Sequence, residues 1–243
     1  MLEDRLYRIT RKKEYCAAVH DAQAVIRRAL RLHPGPVAVA VSGGKDSVAM
    51  AHLVSTQCKP LLLFTDSGVE PPESEGVVRD LAERLGLPLA IGRADAIAWV
   101  QEKGRPAAEG TAIDRACILK PTLEILKKNE IALEFVGLRE EESKKRRALI
   151  RSRGPVMVTK RWGCATAFPM RRWKAADVFA YIDEHSLPLH PAYSRTDWED
   201  RYAIRVSWVW DTDFEAKGST AYLRKYYPDL FRRLRDAGIL EVT

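Results

Sequence analysis

Four short apolar runs, Val37–Val41, Leu61–Thr65, Leu87–Ile91 and Ile131–Val136, alternate with stretches of helical period. Runs this short and rich in Val, Leu and Ile suit strands buried on both faces. The stretches between them, about Lys45–Ser55, Glu73–Leu85, Ala94–Gln101 and Ala116–Asn129, are long enough to carry the chain from one parallel strand to the next. Strands and helices in this order predict an α/β fold, a parallel sheet with helices on both faces and right-handed crossovers.

Upstream, Glu14 to Leu32 repeats apolar residues at helical spacing until His33-Pro34-Gly35-Pro36 stops it. Gly104 to Gly110 (GRPAAEG) reads as a loop. After Gly137 the alternation lapses. Val156–Thr159 and the aromatic-rich Arg205–Trp210 read as strands, Ala175–His185 as an amphipathic helix and Leu187–Tyr193 as a proline-rich loop. Thr220–Gly238 reads as one or two short helices split near Pro228, with Leu223, Tyr227, Leu230, Phe231 and Leu234 as the apolar set. The expected organisation is an N-terminal helical segment (1–36), a central domain (37–193) and a small α-rich C-terminal extension packed on that domain (194–243).

With 46% hydrophobic residues the chain can bury a core, which excludes disorder over most of its length. No apolar run approaches the roughly 18–20 residues of a membrane helix. The charged N-terminus is unlike a signal peptide, and the four cysteines form no CxxC pair. A soluble cytoplasmic protein without membrane contact is expected. Its net charge of +7 is uneven. From Leu138 to Ala175 twelve basic residues face three acidic ones, a net +9, which leaves −2 for the rest. An anionic ligand or partner is expected there.

Ser42-Gly43-Gly44-Lys45-Asp46-Ser47 lies between a buried strand and a helix. Two glycines allow close backbone approach to an anion, the N–H groups opening a helix favour phosphate, and Lys45, Ser42 and Ser47 add a charge and two hydroxyls. The Walker pattern is not met, because Val39 stands where it needs glycine and Asp46 where it needs Ser or Thr. The G-x-G-x-x-G dinucleotide fingerprint is also missing.

The hexapeptide resembles the pyrophosphate loop of the adenine nucleotide α-hydrolase (PP-loop ATPase) superfamily, and further motifs resemble its phosphoadenosine-phosphosulfate (PAPS) reductase branch. Thr65-Asp66-Ser67-Gly68-Val69-Glu70 with Pro71-Pro72-Glu73-Ser74 resembles D-[ST]-G-x-E-x-P-E-[ST]. Gly137-Leu138-Arg139, Glu142-Ser143 and Arg146 resemble G-x-R-x-x-E-S-x-x-R. Pro169, Trp173, Asp177-Val178, Tyr181 and His190-Pro191-x-Tyr193 resemble the branch's last conserved region. The likeness spans Val37 to Tyr193. It implies a Rossmann-like (HUP-type) sheet holding ATP, APS or PAPS, with Mg²⁺. By resemblance, Ser42, Gly43, Gly44, Lys45, Asp46, Ser47, Asp66, Gly137, Arg139 and Arg146 bind nucleotide, and Lys45, Asp46, Asp66 and Arg139 serve catalysis. Asp46 would help place Mg²⁺, and Asp66 would lie near nucleotide or metal. In ATP-using relatives an acceptor attacks the α-phosphorus and pyrophosphate leaves, a reaction that needs charge stabilisation more than a protein nucleophile.

The departures carry equal weight. The reductases' C-terminal E-C-G-x-H cysteine motif has no counterpart after Cys164, so reduction of PAPS by this chain's own thiol is not expected. Cys117, in Cys117-x-x-Lys120-Pro121, and Cys164 are too few and too far apart to predict an iron–sulfur cluster. Cys16 and Cys58 read as small core residues. The histidines lack metal-ligand spacing, and no metal site built from protein side chains is predicted. The basic segment reads either as a tRNA or DNA surface, with Trp162 and Trp173 stacking bases, or as a solvated face around two or three nucleotide-binding arginines. Tyr222, Tyr226, Tyr227 and Phe231 pack the last helices or meet a protein partner or second copy. Three functions fit: adenylation of an acceptor in sulfur transfer, including transfer to nucleic acid; sulfonucleotide chemistry with a partner's thiol; and a non-catalytic nucleotide-sensing subunit of a regulatory or defence complex.

Overall fold

A computed structural model of the chain describes residues 2–104, 111–158, 163–195, 201, 202, 204, 206 and 219–240. Two helices, α1 (Leu2–Thr10) and α2 (Lys12–Leu32), lead into β1 (Val37–Val41), α3 (Lys45–Ser55), β2 (Leu61–Asp66), α4 (Glu73–Leu85), β3 (Leu89–Arg93) and α5 (Ala96–Lys103). The single turn α6 (Thr111–Asp114), a π-helical turn (Arg115–Leu119) and α7 (Lys120–Lys128) follow, then β4 (Leu133–Phe135). Next come α8 (Lys144–Arg153), β5 (Val156–Val158), β6 (Ala165–Ala167), α9 (Ala175–Glu184), a 3₁₀ turn (Pro191–Ser194), α10 (Ser219–Tyr226) and α11 (Pro228–Asp236).

The strands form one sheet in the order β3-β2-β1-β4-β6-β5. The chain winds outward from β1 through β2 to β3, then returns to place β4 on the other side of β1. That reversal lies between β1 and β4, where the carboxyl ends of both strands open a crevice suited to a ligand. Alternation along the strands sorts side chains to two faces. Val39, Leu62, Phe64, Leu133 and Phe135 join the main core with residues of α2, α3, α4 and α9, including Ile26, Met50, Leu53 and Leu81. Ala38 and Leu63, on the other face, pack with Leu126 of α7 and with Ile131 and Cys164. The expected α/β architecture is therefore the observed one.

Four differences from the sequence reading have physical causes. Strand β5 pairs antiparallel with β6, so the sheet is mostly rather than wholly parallel. Residues 159–164 are too few for a crossover, which needs a dozen or more. Helix α1 was not anticipated because polar contacts hold it: Asp4 pairs with Arg201, both buried, and Tyr7 Oη donates to Asp177 at 2.8 Å. Helix α8 had registered only as charge, yet Ser143 caps it, its Oγ accepting from Arg146 N at 3.1 Å, and Ile150 is buried. The helix expected over Ala116–Asn129 instead widens through the π turn before Pro121, which has no N–H to donate. Residues 105–110 of the GRPAAEG loop, Thr159, Lys160, Arg161, Trp162, Arg205 and 207–210 lie outside the described residues.

Candidate active site

Strand β1 ends at Val41, and the Ser42–Ser47 loop turns the chain into α3, whose first N–H groups have no partner within the helix. Gly43 has φ +76°, and a Cβ there would lie 3.0 Å from the Ser74 carbonyl oxygen, so glycine is required. Ser47 Oγ accepts from Ser42 N at 3.0 Å and donates to Gly44 O at 2.9 Å, which closes the loop on itself. Lys45 N donates to Tyr193 Oη at 3.2 Å. Tyr193 is buried and held by the turn at His190, whose Nδ1 accepts from Ala192 N at 3.1 Å. The His190 proton therefore sits on Nε2, which faces Ser74 Oγ at 3.4 Å, and burial pushes the imidazole down to about 4.

A chain of charges continues from the loop. Lys45 Nζ lies 2.9 Å from Asp46 Oδ2 and 5.5 Å from the centre of the Tyr193 ring. Asp46 Oδ1 meets Arg139 Nε at 2.5 Å, and Arg139 Nη1 meets Glu141 Oε2 at 2.7 Å. Arg139 is 3% exposed. Burial opposes its charge, but Asp46, Glu142 and Glu141 outweigh that and raise its pKa. Arg146 Nη1 pairs with Glu142 Oε2 at 2.5 Å. Gly137 lets β4 close on α3: a Cβ would lie 3.0 Å from Asp46 O.

Ser42, Gly44, Lys45, Asp46, Ser47, Gly137 and Arg146 all line one cavity of about 660 Å³. Gly43, Asp66 and Arg139 do not line it. Gly43 sits against Ser74 behind the loop, and Arg139 supports Asp46 from below. Asp66, expected near nucleotide or metal, pairs with Arg93 and accepts from Gly68 N at 2.8 Å. The cavity wall also includes Thr65, Glu70, Thr122, Glu134, Thr166 and Tyr193. None of these six stood among the expected site residues. Tyr193 had a signal in its H-P-x-Y motif and Glu70 in the segment after β2, whereas Glu134 and Thr166 had none.

The residues present do not make a protein cage for Mg²⁺. Asp46 is already engaged by two cations, and among the described residues no group of three or more His, Cys, Asp or Glu side chains is placed to hold a metal. Cys117 and Cys164 are buried in separate apolar clusters. Burial raises both thiols, Cys164 to about 11, with nearby carboxylates adding to the effect. Cys16 is exposed on α2, contrary to the core position expected, and Cys58 is half-buried against the main core. Trp173 is in the core, where its Nε1 donates to Ala18 O at 3.0 Å, so it presents no face to a base. Of the described basic residues between 138 and 175, Arg139 and Arg171 are buried in ion pairs, whereas Lys144, Arg147, Arg151, Arg153, Arg172 and Lys174 are exposed. No described helix is long and apolar enough to cross a membrane. Tyr222, Tyr226, Tyr227 and Phe231 pack α10 and α11 against α5 and Cys117.

The family model for the phosphoadenosine phosphosulfate reductase domain matches residues 36–233. The chain belongs to the PAPS reductase domain family. Among curated relatives, the phosphoadenosine 5'-phosphosulfate reductase of Vibrio parahaemolyticus is 29% identical over 218 residues, covering 86% of this chain and 75% of its own. The fold is shared with several solved structures. A PAPS reductase from Candida auris in a phosphate complex has a TM-score of 0.57 at 18% identity, covering 74% of this chain and 86% of its own. An FMN adenylyltransferase from Candida glabrata in complex with ATP has a TM-score of 0.55 at 16% identity, covering 74% and 58%. The U34-tRNA thiolase NcsA from Methanococcus maripaludis, with its [4Fe-4S] cluster, has a TM-score of 0.56 at 15% identity, covering 93% and 82%. Cys117 and Cys164 are buried, Cys58 is half-buried and Cys16 is exposed, and none of the four lines the cavity.

Proposed function

We propose that this PAPS reductase domain protein binds an adenine nucleotide through Ser42–Ser47 and cleaves ATP between its α- and β-phosphates to adenylate an acceptor in sulfur transfer. The observation that carries the reading is the loop: a helix N-terminus, two serine hydroxyls and a buried lysine open onto one cavity. In the reaction an acceptor oxygen forms a bond to the α-phosphorus, and the bond to the bridging oxygen breaks. The adenylated acceptor and pyrophosphate are the products. Lys45 and the loop N–H groups would meet the charge that builds on the leaving pyrophosphate, and Arg139 would position Asp46. Mg²⁺ would arrive with the phosphates, as it commonly does, rather than in a protein site. Gly137, Arg146 and Ser42 would complete the nucleotide contacts, with Asp66 fastening the neighbouring turn.

The second reading is sulfonucleotide reduction with a thiol borrowed from a partner, favoured by the reductase relatives and by the raised thiols of Cys117 and Cys164. Exposed cations on α8 support a tRNA or DNA acceptor for the first reading. Two assays separate them. Release of pyrophosphate from ATP in the native protein, lowered about 10²–10³-fold in Lys45→Ala with the Tm retained, supports adenylation. Sulfite release from PAPS with an added dithiol protein, and none of pyrophosphate from ATP, overturns it.

A further inference from the structure

In the wall of the cavity lies a carboxyl group that the fold leaves unsatisfied. Glu134 is the middle residue of β4, lines the cavity and is 2% exposed. Leu133 and Phe135 on either side enter the main core, so the two-residue period puts Glu134 on the cavity face. Among the described residues its side chain makes no hydrogen bond and no ion pair. Its neighbour on β6 is Thr166, which also lines the cavity and whose Oγ1 is buried without a partner. A lone buried carboxyl opposes folding, and an apolar side chain would serve the core better. Such a group in a cavity wall is what a ligand's polar atoms complete.

Its position suits the end of a nucleotide remote from the phosphates. Glu134 is in register with Ala38 of β1, four residues before Ser42. At about 3.3 Å per residue the two ends lie roughly 13 Å apart along the sheet, a span that an extended nucleoside phosphate can bridge. We propose that Glu134, with Thr166 beside it, reads the base. The Glu134 carboxyl accepts an N–H from the exocyclic amino group of a 6-aminopurine, and the Thr166 hydroxyl donates to a ring nitrogen. The cavity thereby selects adenine nucleotides over their 6-oxo counterparts. This rests on the nucleotide reading above. Burial pushes Glu134 up to about 7, and the ionised form, an acceptor only, is the one that discriminates, so binding is measured at about pH 8.

The test is calorimetric binding of ATP and PAPS, with the tighter of the two then paired against its 6-oxo (inosine) counterpart. Native protein, Glu134→Leu and Glu134→Gln are compared. The native chain is expected to favour the amino form about ten-fold or more, because a site built to hydrogen-bond an amino group leaves polar atoms unpaired when that group is missing. Glu134→Leu fills the same space without a lone carboxyl, and it is expected to bring the two affinities within roughly two-fold. Glu134→Gln can accept from an amino group or donate to an oxo group, so it is expected to bind both forms with similar affinity while keeping the native affinity for the amino form, which a merely structural role would not require. Equal affinities in the native protein, or an unchanged ratio in Glu134→Leu, overturn the assignment and leave the phosphate loop standing. If neither ATP nor PAPS binds the native protein, the nucleotide reading fails and this inference with it.

Discussion

At Gly137 a single hydrogen atom in place of a side chain lets β4 lie against the first turn of α3. A Cβ there would meet Asp46 O at 3.0 Å and Asp46 C at 3.1 Å, both backbone atoms that cannot swing aside. Gly137→Ala is expected to cost about 1–3 kcal/mol, read as a lower urea midpoint, and to weaken nucleotide binding by displacing the loop. Glu134 makes a residue-scale prediction of opposite sign. Its pKa is raised from 4.5 to about 7 by burial, so the folded chain holds a proton that the unfolded chain has released. The resulting penalty is absent below about pH 4.5, grows as pH rises toward 7 and is complete above it. Glu134→Leu should therefore gain about 3 kcal/mol at pH 8 and little at pH 4, measured by urea unfolding. Both positions show how unevenly the site could be read. Gly137 lay inside a motif and was expected at the nucleotide. Glu134 sat in a run that read as an ordinary buried strand, where one charged residue among apolar ones carries no periodic signal.

Between elements, α3 and α9 meet through a cluster of rings. His52 Nδ1 lies 2.9 Å from Tyr181 Oη, and the His52 and His185 ring centres lie 4.4 Å apart with the rings tilted by 34°. Burial, with His185 adding to it, pushes His52 down to about 4, close to the value reached by His190 beneath the loop. For both groups the unfolded chain takes up protons first, near the ordinary value of 6.5. Their contribution to stability is whole above that pH and is lost as pH falls toward 4. The urea midpoint is expected to drop between pH 7 and pH 4.5, and His52→Phe should flatten that slope while leaving nucleotide binding intact at pH 7. A slope unchanged by the substitution would remove His52 from the account. Elements whose apolar residues recur at regular spacing, such as α2, α3, α4 and α9, were readable to within a residue or two. Helices α1 and α8 were not, because a buried ion pair and a serine cap hold them rather than an apolar stripe.

Across the whole molecule, the charge excess divides between two uses. Arg139 and Arg171 spend theirs inside the fold against Asp46, Glu141 and Asp21. The exposed cations of α8 stand beside Arg146 and Leu149, which line the cavity, so a polyanion on that face would approach the cavity mouth. If tRNA is the acceptor, replacing Lys144, Arg147 and Arg151 with Gln should weaken tRNA binding. The slope of log K against log salt should also fall by about two to three, at roughly 0.7–0.9 for each phosphate no longer neutralised. Pyrophosphate release with a small acceptor should not change. The same slope in native and variant protein would assign these residues to a solvated face.

Local pattern determined the alternating strands and helices, the Ser42–Ser47 loop between β1 and α3 and the family motifs, because each is written in residues near one another in the chain. Only the tertiary structure decided which of those residues share a cavity. It drew Asp66 to Arg93 and Arg139 to Asp46, and it set Glu134 beside Thr166 with neither satisfied. Those outcomes depend on register between strands and on burial of partners far apart in sequence. They also depend on the length of the link before β6, which turned β5 antiparallel. Periodicity specifies which face a side chain takes, but the partner it finds there is chosen by the packing of the whole.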